Sequence, residues 1–388
     1  MLSFCPRPPG WCVDWRSIDE AFDWIRALRG CPQDPVFHAE GDVWVHTRMV
    51  CEALAALDGW RVLPEDEREV LFWSALLHDV AKPQCSVRED DGRISSRGHA
   101  RRGAQRARRL LWEGGLRFAG REAVVGLVRR HALPLWLLER EDPARTAILA
   151  SLSARMDHLA LLAEADVCGR DCNDADGLLE RIELFAELCR DQRCFDGPRA
   201  FASSAGRFLY ARGRWSLPDY APHEGSPDEQ AEMVVLSGLP GSGKDHWIRE
   251  HLPGLPAVSL DGIRRELGIR PSKDQGQIVQ EARRRAREHL RAGQSFVWNA
   301  TNLTRNLRDV LVELATSYEA RTRIVYVEVS AEKLWRQNRE REDVVPQAVM
   351  ERFLKRWEVP GLAEAHAVEY WVDGDLGARS SPRPTSRD

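Results

Sequence analysis

The chain has 388 residues, 43% of them hydrophobic and 30% charged, and a formal net charge of −4. This composition excludes a disordered chain and the strongly basic balance of a protein that coats nucleic acid, and the length predicts more than one domain. The basic residues are 51 arginines and only five lysines, at positions 82, 244, 273, 333 and 355. Lysine and arginine differ in geometry, hydration and titration, so a lysine inside a motif is a candidate for a specific role.

Targeting and membrane signals are not evident in the sequence. The N-terminus lacks a basic segment followed by an apolar run, and the longest apolar runs elsewhere are short and bounded by charges. We therefore expect neither a signal peptide nor a membrane partner. The nine cysteines are an odd number without a CxxC pair, which favours reduced thiols over a disulfide framework. These features predict a cytoplasmic protein.

The N-terminal half is predicted to be helical. Apolar residues recur with a helical period from about Trp15 to Cys194, with few β-branched runs and with turns marked by proline and glycine. This pattern predicts an all-α domain over residues 1–195. Residues 196–231 are rich in Gly, Pro, Ser and Asp, and we interpret them as a linker.

The C-terminal part is predicted to be an α/β domain. Its β-rich segments MVVLSG, PAVSLD, SFVWNA and RIVYVEV are separated by helical segments beginning near Lys244 and covering about 276–292 and 304–318. Such alternation predicts a parallel sheet, over residues 232–376. The polar tail over 377–388 is typical of a disordered segment. The predicted fold is thus a helical bundle followed by an α/β domain.

Four histidines of the helical half are candidate metal ligands. His46 shares its helix face with apolar residues, His131 follows a similar stripe, and His78 is directly followed by Asp79 where Pro83 stops a helix. His99 begins the segment HARRGAQ. A single buried histidine is usually a satisfied core residue, but four on inward faces beside a carboxylate favour a divalent transition metal.

The order His46, LLHDVAKP, GHARRGA, RRHALP and AEADVCGR resembles the HD-domain metal-dependent phosphohydrolases, over about residues 35–175. The resemblance implies a first metal, such as Mn²⁺, Ni²⁺ or Co²⁺, held by His46, His78, Asp79 and a late aspartate. It also implies a second metal at His99 and His131, with Asp79 bridging. The implied chemistry is attack on phosphorus by a water whose pKa the cation lowers.

Two aspartates compete for the last ligand position. Asp157 and Asp166 are nine residues apart, which puts them on opposite faces of one helix, so only one of them can be a ligand. The text ADVCGR resembles the closing motif of the family and favours Asp166. Lys82 matches a lysine often seen after the HD pair and is a candidate contact for substrate phosphate. The alternative is a solvated lysine at a helix end.

The segment MVVLSGLPGSGKD predicts a strand, a glycine-rich loop and a helix that together match G-x-x-x-x-G-K. Backbone N–H groups at such a helix N-terminus bind the phosphates of ATP or another NTP, with Mg²⁺. The candidate nucleotide-binding residues are Gly238, Gly241, Ser242, Gly243, Lys244 and Asp245. Asp245 replaces the usual Ser or Thr. Its carboxylate is a candidate Mg²⁺ ligand, directly or through water, but the alternatives are helix capping and repulsion of phosphate.

Asp261 and Arg264 are candidates for the acceptor side of this site. Asp261 ends a predicted strand, at the ligand edge of a parallel sheet, and Arg264 follows one helical turn later. A carboxylate there can accept the proton of an attacking hydroxyl, and the arginine can clamp a phosphate. The alternative for Asp261 is a simple N-cap.

The pattern GLPGSGKD, SLDGIRREL, VWNATNL, RQNRERE and VVP resembles the kinase module of polynucleotide 5′-kinases, over about residues 232–365. The resemblance implies Asp261 as general base on the 5′-OH and Arg264 on the adjacent phosphate. It also implies that Arg341, three residues after Asn338 on a lid helix, contacts the β/γ-phosphates, with Arg336 and Arg339 as alternatives.

Together the halves resemble the bacterial two-domain HD polynucleotide kinases. Membership would imply an end-healing enzyme for RNA or DNA that phosphorylates 5′-OH ends and removes 3′- or 2′-phosphate or 2′,3′-cyclic phosphate. A ligase acting on the healed ends would be a partner. Two alternatives remain: a nucleotide phosphohydrolase fused to a metabolite kinase, and a non-catalytic RNA-binding sensor gated by nucleotide.

Overall fold

The computed structural model describes residues 4–222, 230–269, 275–341 and 343–373. The chain divides into two compact units, Met1–Ala200 and Phe201–Asp388. Each unit has a hydrophobic core of its own. The predicted tail over 377–388 lies outside the described residues.

The first unit is helical, as the sequence predicts, apart from one short hairpin. Its helices are α1 (Trp15–Ala21), α2 (Val43–Ala56), α3 (Asp58–Arg61), α4 (Glu65–Leu77), α5 (His99–Glu113), α6 (Phe118–Arg130), α7 (Leu133–Trp136), α8 (Pro143–Ser151), α9 (Met156–Cys168) and α10 (Ala175–Asp191). The hairpin consists of β1 (Val87–Arg88) and β2 (Ile94–Ser95), and three 3₁₀ turns span Asp23–Ala27, Lys82–Gln84 and Leu137–Glu139.

Local sequence explains why α2 and α9 begin and end where they do. The side chain of Asp42 accepts a hydrogen bond from the Val45 N–H and so caps α2. Helix α9 ends at Gly169, where an added Cβ would lie 2.5 Å from the backbone nitrogen of Val50. Only a glycine allows this approach of the α9 end to the α2 backbone. The approach fixes the distance between the two helices.

The second unit is a parallel α/β domain, as predicted. Its elements are α11 (Ser204–Ala211), β3 (Glu232–Ser237), α12 (Lys244–His251), β4 (Ala257–Ser259), α13 (Leu260–Glu266), α14 (Gly276–Arg291), β5 (Phe296–Asn299), α15 (Arg305–Thr316), β6 (Arg321–Glu328), α16 (Ala331–Glu340), α17 (Gln347–Leu354) and β7 (Ala367–Val372). The strand order is β4-β5-β3-β6-β7, and every pair is parallel. Strand β3 is central, which places the loop that follows it at the middle of the carboxyl edge of the sheet.

The segment 196–231, interpreted above as a linker, contains helix α11. Phe208 on this helix is fully buried in the core of the second unit, and Arg207 donates a hydrogen bond to the Leu362 carbonyl oxygen at 3.1 Å. This part of the segment is therefore not a linker, because its turn-forming residues flank a helix that packs on the α/β domain. Across the described ranges, every helix is too short or too polar to cross a bilayer.

Candidate functional site

Six predicted ligands from five helical regions come together in the first unit. They lie on α2 (His46), at the end of α4 (His78 and Asp79), at the start of α5 (His99), at the end of α6 (His131) and on α9 (Asp166). The Nε2 atoms of His46 and His78 are 3.3 Å apart, and those of His99 and His131 are 3.2 Å apart. The imidazole rings therefore converge through their Nε2 atoms.

The orientation of three of these rings is set by the backbone. The Nδ1 atoms of His78, His99 and His131 each contact the carbonyl oxygen three residues earlier, at 2.7, 2.8 and 2.9 Å. A carbonyl oxygen only accepts, so each Nδ1 carries the proton and each Nε2 presents a lone pair. Burial lowers the pKa of His131 to about 4, which keeps this ring neutral. Neutral imidazoles with aligned lone pairs are the form that binds a metal.

Asp79 faces both pairs of histidines. Its Oδ2 lies 3.1 Å from Nε2 of His78 and 3.9 Å from Nε2 of His46, whereas its Oδ1 lies 3.4 Å from Nε2 of His99. Two groups of ligand atoms therefore share this carboxylate: His46 with His78, and His99 with His131. Burial would raise the pKa of Asp79, but the positive charge of Lys82 beside it helps to hold that pKa well below its usual value, so the carboxylate is ionised.

Of the two competing late aspartates, Asp166 lies in the cluster. Its Oδ1 is 3.1 Å from Nε2 of His46, and its Oδ2 accepts from Arg170 at 2.8 Å. Burial opposes its charge, but Arg170 and His46 hold its pKa well below the usual range. Asp157 pairs with Arg155 and makes no contact with the cluster among the described residues.

Lys82 is buried, with 8% of its surface exposed. Its Nζ lies 2.7 Å from Oδ2 of Asp79 and donates to Oε1 of Gln33 at 2.6 Å. This position excludes the solvated helix-end interpretation, and it places a positive charge directly beside the shared carboxylate.

Sequence reasoning missed two residues that lie next to His46. Oε1 of Glu40 is 2.8 Å from Nδ1 of His46 and 2.9 Å from Nδ1 of His38. The other oxygen of Glu40 accepts from the backbone N–H of Asp171 at 3.0 Å. Burial alone would lower the pKa of His46, but Asp166 and Glu40 outweigh it and raise that pKa. Both missed residues precede α2 in a segment without helical periodicity, and the only signal was their acid and imidazole side chains close to the α2 N-terminus.

The donor set fits a divalent cation. The buried oxygens Oδ1 of Asp79 and Oδ1 of Asp166 have no hydrogen-bond donor in the part of the chain that the structure describes. Three carboxylates, including Glu40, face two cations, Lys82 and Arg170, so neutral imidazoles leave one net negative charge. Imidazole nitrogens with carboxylate oxygens suit Mn²⁺, Co²⁺, Ni²⁺ or Zn²⁺ better than Ca²⁺.

The second unit contains a phosphate-binding loop between β3 and α12. Gly238, Gly241 and Gly243 have φ values of 152°, 82° and 96°, which other residues rarely adopt. A Cβ on Gly238 would lie 2.3 Å from the Val327 carbonyl oxygen. Backbone N–H groups turned by such glycines form a concave set of donors at the helix N-terminus, which fits the phosphates of a nucleotide.

Lys244 folds back over this loop. Its Nζ donates to the carbonyl oxygens of Gly238 at 2.9 Å and Leu239 at 2.8 Å. Burial lowers the pKa of Lys244 to about 8, although the nearby Asp245 opposes this effect. The buried Oγ of Ser242 has no partner in the described ranges of the chain. Both side chains therefore hold polar groups close to the place where phosphates would bind.

Asp245 is exposed in the first turn of α12, and its Oδ1 accepts from Nδ2 of Asn299 at 2.6 Å. Asn299 is the last residue of β5. The contact joins the carboxylate to the neighbouring strand at the carboxyl edge of the sheet. Gly243 is the N-cap of α12, so capping does not explain Asp245.

Asp261 lies in the first turn of α13 because β4 ends earlier than predicted, at Ser259. The Ser259 side chain caps this helix by accepting from the Gly262 N–H, so Asp261 is not the N-cap. Its carboxylate forms an ion pair with Arg264, and Nε of Arg264 donates to Gln275 at 3.0 Å. The side chain of Asp261 is 69% exposed. The exposed acid and the half-buried arginine thus form one ion pair.

Arg341 follows the last residue of α16 and lies near enough to Lys244 to lower its pKa. Asn338 exchanges two hydrogen bonds with the backbone of Val345, at 2.9 and 3.1 Å, and so fixes the chain that follows α16. The alternatives, Arg336 and Arg339, are exposed. Arg341 thus lies on the chain that Asn338 fixes, within electrostatic range of the loop lysine.

Comparisons with known proteins agree with this division. Residues 42–162 match the HD domain family, and residues 233–360 match an AAA domain family. A putative kinase from Chloroflexus aurantiacus is 16% identical, with a TM-score of 0.32, over 37% of this chain and 86% of that chain. No curated protein matches the chain significantly. The chain therefore contains a region that matches the HD domain family, followed by a P-loop region that matches an AAA domain family, and these domains imply a divalent metal and an NTP with Mg²⁺.

Proposed function

We propose that this protein heals broken polynucleotide ends, phosphorylating a 5′-OH in its P-loop domain and removing a 2′,3′-cyclic, 3′- or 2′-phosphate in its HD domain. The observation that supports the proposal is the presence in one chain of a buried histidine–carboxylate cluster and of a phosphate loop in the same domain as the Asp261–Arg264 ion pair. The histidine–carboxylate cluster would cleave phosphate esters, and the phosphate-loop site would form them. A break in a polynucleotide needs both reactions before a ligase can join its ends.

In the HD domain, His46, His78, Asp79 and Asp166 would hold one cation, and His99 with His131 a second. A bound divalent cation, such as Mn²⁺, Ni²⁺ or Co²⁺, polarises a phosphate ester and lowers the pKa of a water beside it. Lys82 would neutralise part of the charge on Asp79, since its Nζ lies 2.7 Å from Oδ2. Burial of the cluster strengthens each of these electrostatic interactions.

In the P-loop domain, the backbone amides and Lys244 would hold the phosphates of ATP or another NTP. Asp261 would accept the proton of the 5′-OH as its oxygen attacks the γ-phosphorus, and the bond to the β–γ bridging oxygen would break to release the nucleoside diphosphate. Arg264 would bind the phosphate next to the acceptor hydroxyl, and Arg341 would stabilise charge on the transferred group. Asp245, whose Oδ1 accepts a hydrogen bond from Asn299, would hold Mg²⁺ directly or through water.

The test uses one oligonucleotide with a 5′-OH and a 2′,3′-cyclic phosphate, supplied with ATP, Mg²⁺ and Mn²⁺. The wild-type chain should give a 5′-phosphate and a free 3′ end. Lys244→Ala and Asp261→Ala should abolish only the first product, and Asp79→Ala only the second. The proposal is wrong if the wild type phosphorylates a mononucleoside but no oligonucleotide, or if one variant removes both activities.

A further inference from the structure

The HD-domain cluster is least buried at one ligand. The side chain of His99 is 22% exposed, whereas those of His46, His78 and Asp79 are 1–2% exposed. The cluster is therefore most accessible to solvent beside His99, the first residue of α5. A substrate whose phosphate entered there would lie over the surface around the start of this helix.

Helix α5 is basic at that place. Arg102 and Arg106 follow His99 by three and seven residues, so they lie on the same helix face, roughly 4.5 and 10.5 Å further along the axis. Arg97 is exposed two residues before His99. Stacked nucleotides rise about 3.4 Å each along a strand, so the two helix arginines span the first few phosphates from an end.

Both helix arginines are fixed beside the cluster by the backbone. Nη1 of Arg106 donates to the carbonyl oxygen of Val80, the residue after Asp79, at 3.1 Å, and Nη1 of Arg102 donates to that of Gln84 at 3.0 Å. A guanidinium has five N–H donors, so most donors of each remain for other acceptors. Positions fixed in this way lose little entropy when an anion binds.

Neither of these arginines has a carboxylate within 4.0 Å in the described part of the chain, and burial alone lowers the pKa of Arg106. The second arginine-rich helix, α14, differs, because its Arg284 and Arg285 are bound by glutamates. On α5 itself, Arg109 binds Glu113. On α5, the two arginines that share the His99 face thus lack an acidic partner among the described residues, whereas Arg109, further along the helix, has one.

We propose that the Arg102–Arg106 face of α5 binds the phosphodiester backbone of a single-stranded polynucleotide whose terminal phosphate lies at the histidine cluster. The proposal rests on the function proposed above and adds the surface that recognises the polymer. The chain as a whole carries a net charge of −4, so binding of a polyanion requires a local basic surface of this kind.

The experiment compares the full chain with the double variant Arg102→Gln/Arg106→Gln, whose amides can still donate to the carbonyl oxygens. The probe is a fluorescein-labelled single-stranded 12-mer RNA with a 3′-phosphate, and its Kd is measured over a range of salt concentrations. We expect Kd to rise about tenfold and the salt slope to fall by about 1.4, since each phosphate contact on a single strand contributes about 0.7. Arg109→Gln, with the same loss of charge per residue on the same helix, should leave Kd within about twofold.

Dephosphorylation of the 12-mer and of p-nitrophenyl phosphate separates the possible outcomes. A KM increase at least fivefold larger for the 12-mer supports the proposal. An equal decrease in the dephosphorylation of both substrates would mean that the arginines only support the structure of the cluster, which would overturn the proposal. An unchanged Kd would also overturn the proposed surface while leaving the end-healing function intact. If the wild type neither binds nor dephosphorylates the 12-mer, both proposals fail.

Discussion

Because α9 approaches α2 closely at Gly169, we expect the substitution Gly169→Ala to push the two helices apart. An alanine Cβ would lie 2.5 Å from the Val50 nitrogen and 2.8 Å from the Met49 carbonyl carbon. Non-bonded carbon atoms pack at about 3.5–4.0 Å, so the two helices must separate by roughly 1 Å. His46 lies one turn before Val50 and Asp166 three residues before Gly169, so their contact of 3.1 Å should lengthen by a similar amount.

We expect this substitution to destabilise the first unit by about 1–3 kcal/mol, as overpacking of a core does. It should also weaken metal binding, because His46 and Asp166 supply ligands from the two separated helices. Thermal unfolding monitored by circular dichroism gives the first quantity, and titration with Co²⁺, followed by its visible absorption, gives the second.

Gly177→Ala is the matched control. Gly177 lies in helix α10, and nothing within 4 Å would meet its Cβ. This variant should be stabilised by roughly 0.5–1 kcal/mol, because alanine favours a helix, with unchanged Co²⁺ affinity. If Gly169→Ala also unfolds at or above the wild-type temperature and binds Co²⁺ normally, the two helices do not approach as described.

Three further predictions follow from contacts in both units. Glu40→Gln should weaken Co²⁺ binding about 10- to 100-fold, because the carboxylate that orients His46 is lost, while the unfolding temperature of the protein measured with EDTA stays near that of the wild type. Gly238→Ala should abolish binding of a fluorescent ATP analogue, since its Cβ would lie 2.3 Å from the Val327 carbonyl oxygen; normal binding would refute the loop geometry. Burial lowers the pKa of His366 to about 4, below its unfolded value near 6.5, so the folded state takes up its proton less readily. The free energy of unfolding is therefore unaffected by the titration of His366 above pH 6.5 and falls by at most about 3 kcal/mol as the pH is lowered to 4. Denaturant unfolding at both pH values should show a smaller decrease in this free energy for His366→Asn.

The sequence predicted residues that lie in periodic helices or in compact motifs. His46, His131 and Asp166 were recognisable because each shares a helix with apolar residues or closes a motif. Glu40 was missed because it lies in a segment with no periodicity, and its role depends on a fold that brings Asp171 beside it. Local pattern does not encode such long-range contacts.

In the second unit, the parallel sheet followed from alternating β-rich and helical segments, but two details did not. Strand β7 has mostly half-buried residues and lacks the apolar run of the inner strands. Asp261 was placed at a strand end, although Ser259 ends the strand and caps α13. Element types were therefore predictable where burial is strong, whereas the end of β4 depended on whether Ser259 or Asp261, two residues later, caps α13.

Three of the histidines are oriented by nearby backbone and His46 by a distant carboxylate, and this difference affects the order in which the site forms during folding. His78, His99 and His131 are each oriented by the carbonyl oxygen three residues earlier in the chain, so these rings acquire their direction as soon as the local turn forms. His46 instead depends on Glu40, which is itself tied to the chain beyond α9 through Asp171. We expect the His99–His131 half of the cluster to form early and the His46 half to be completed last, when the segment before α2 docks.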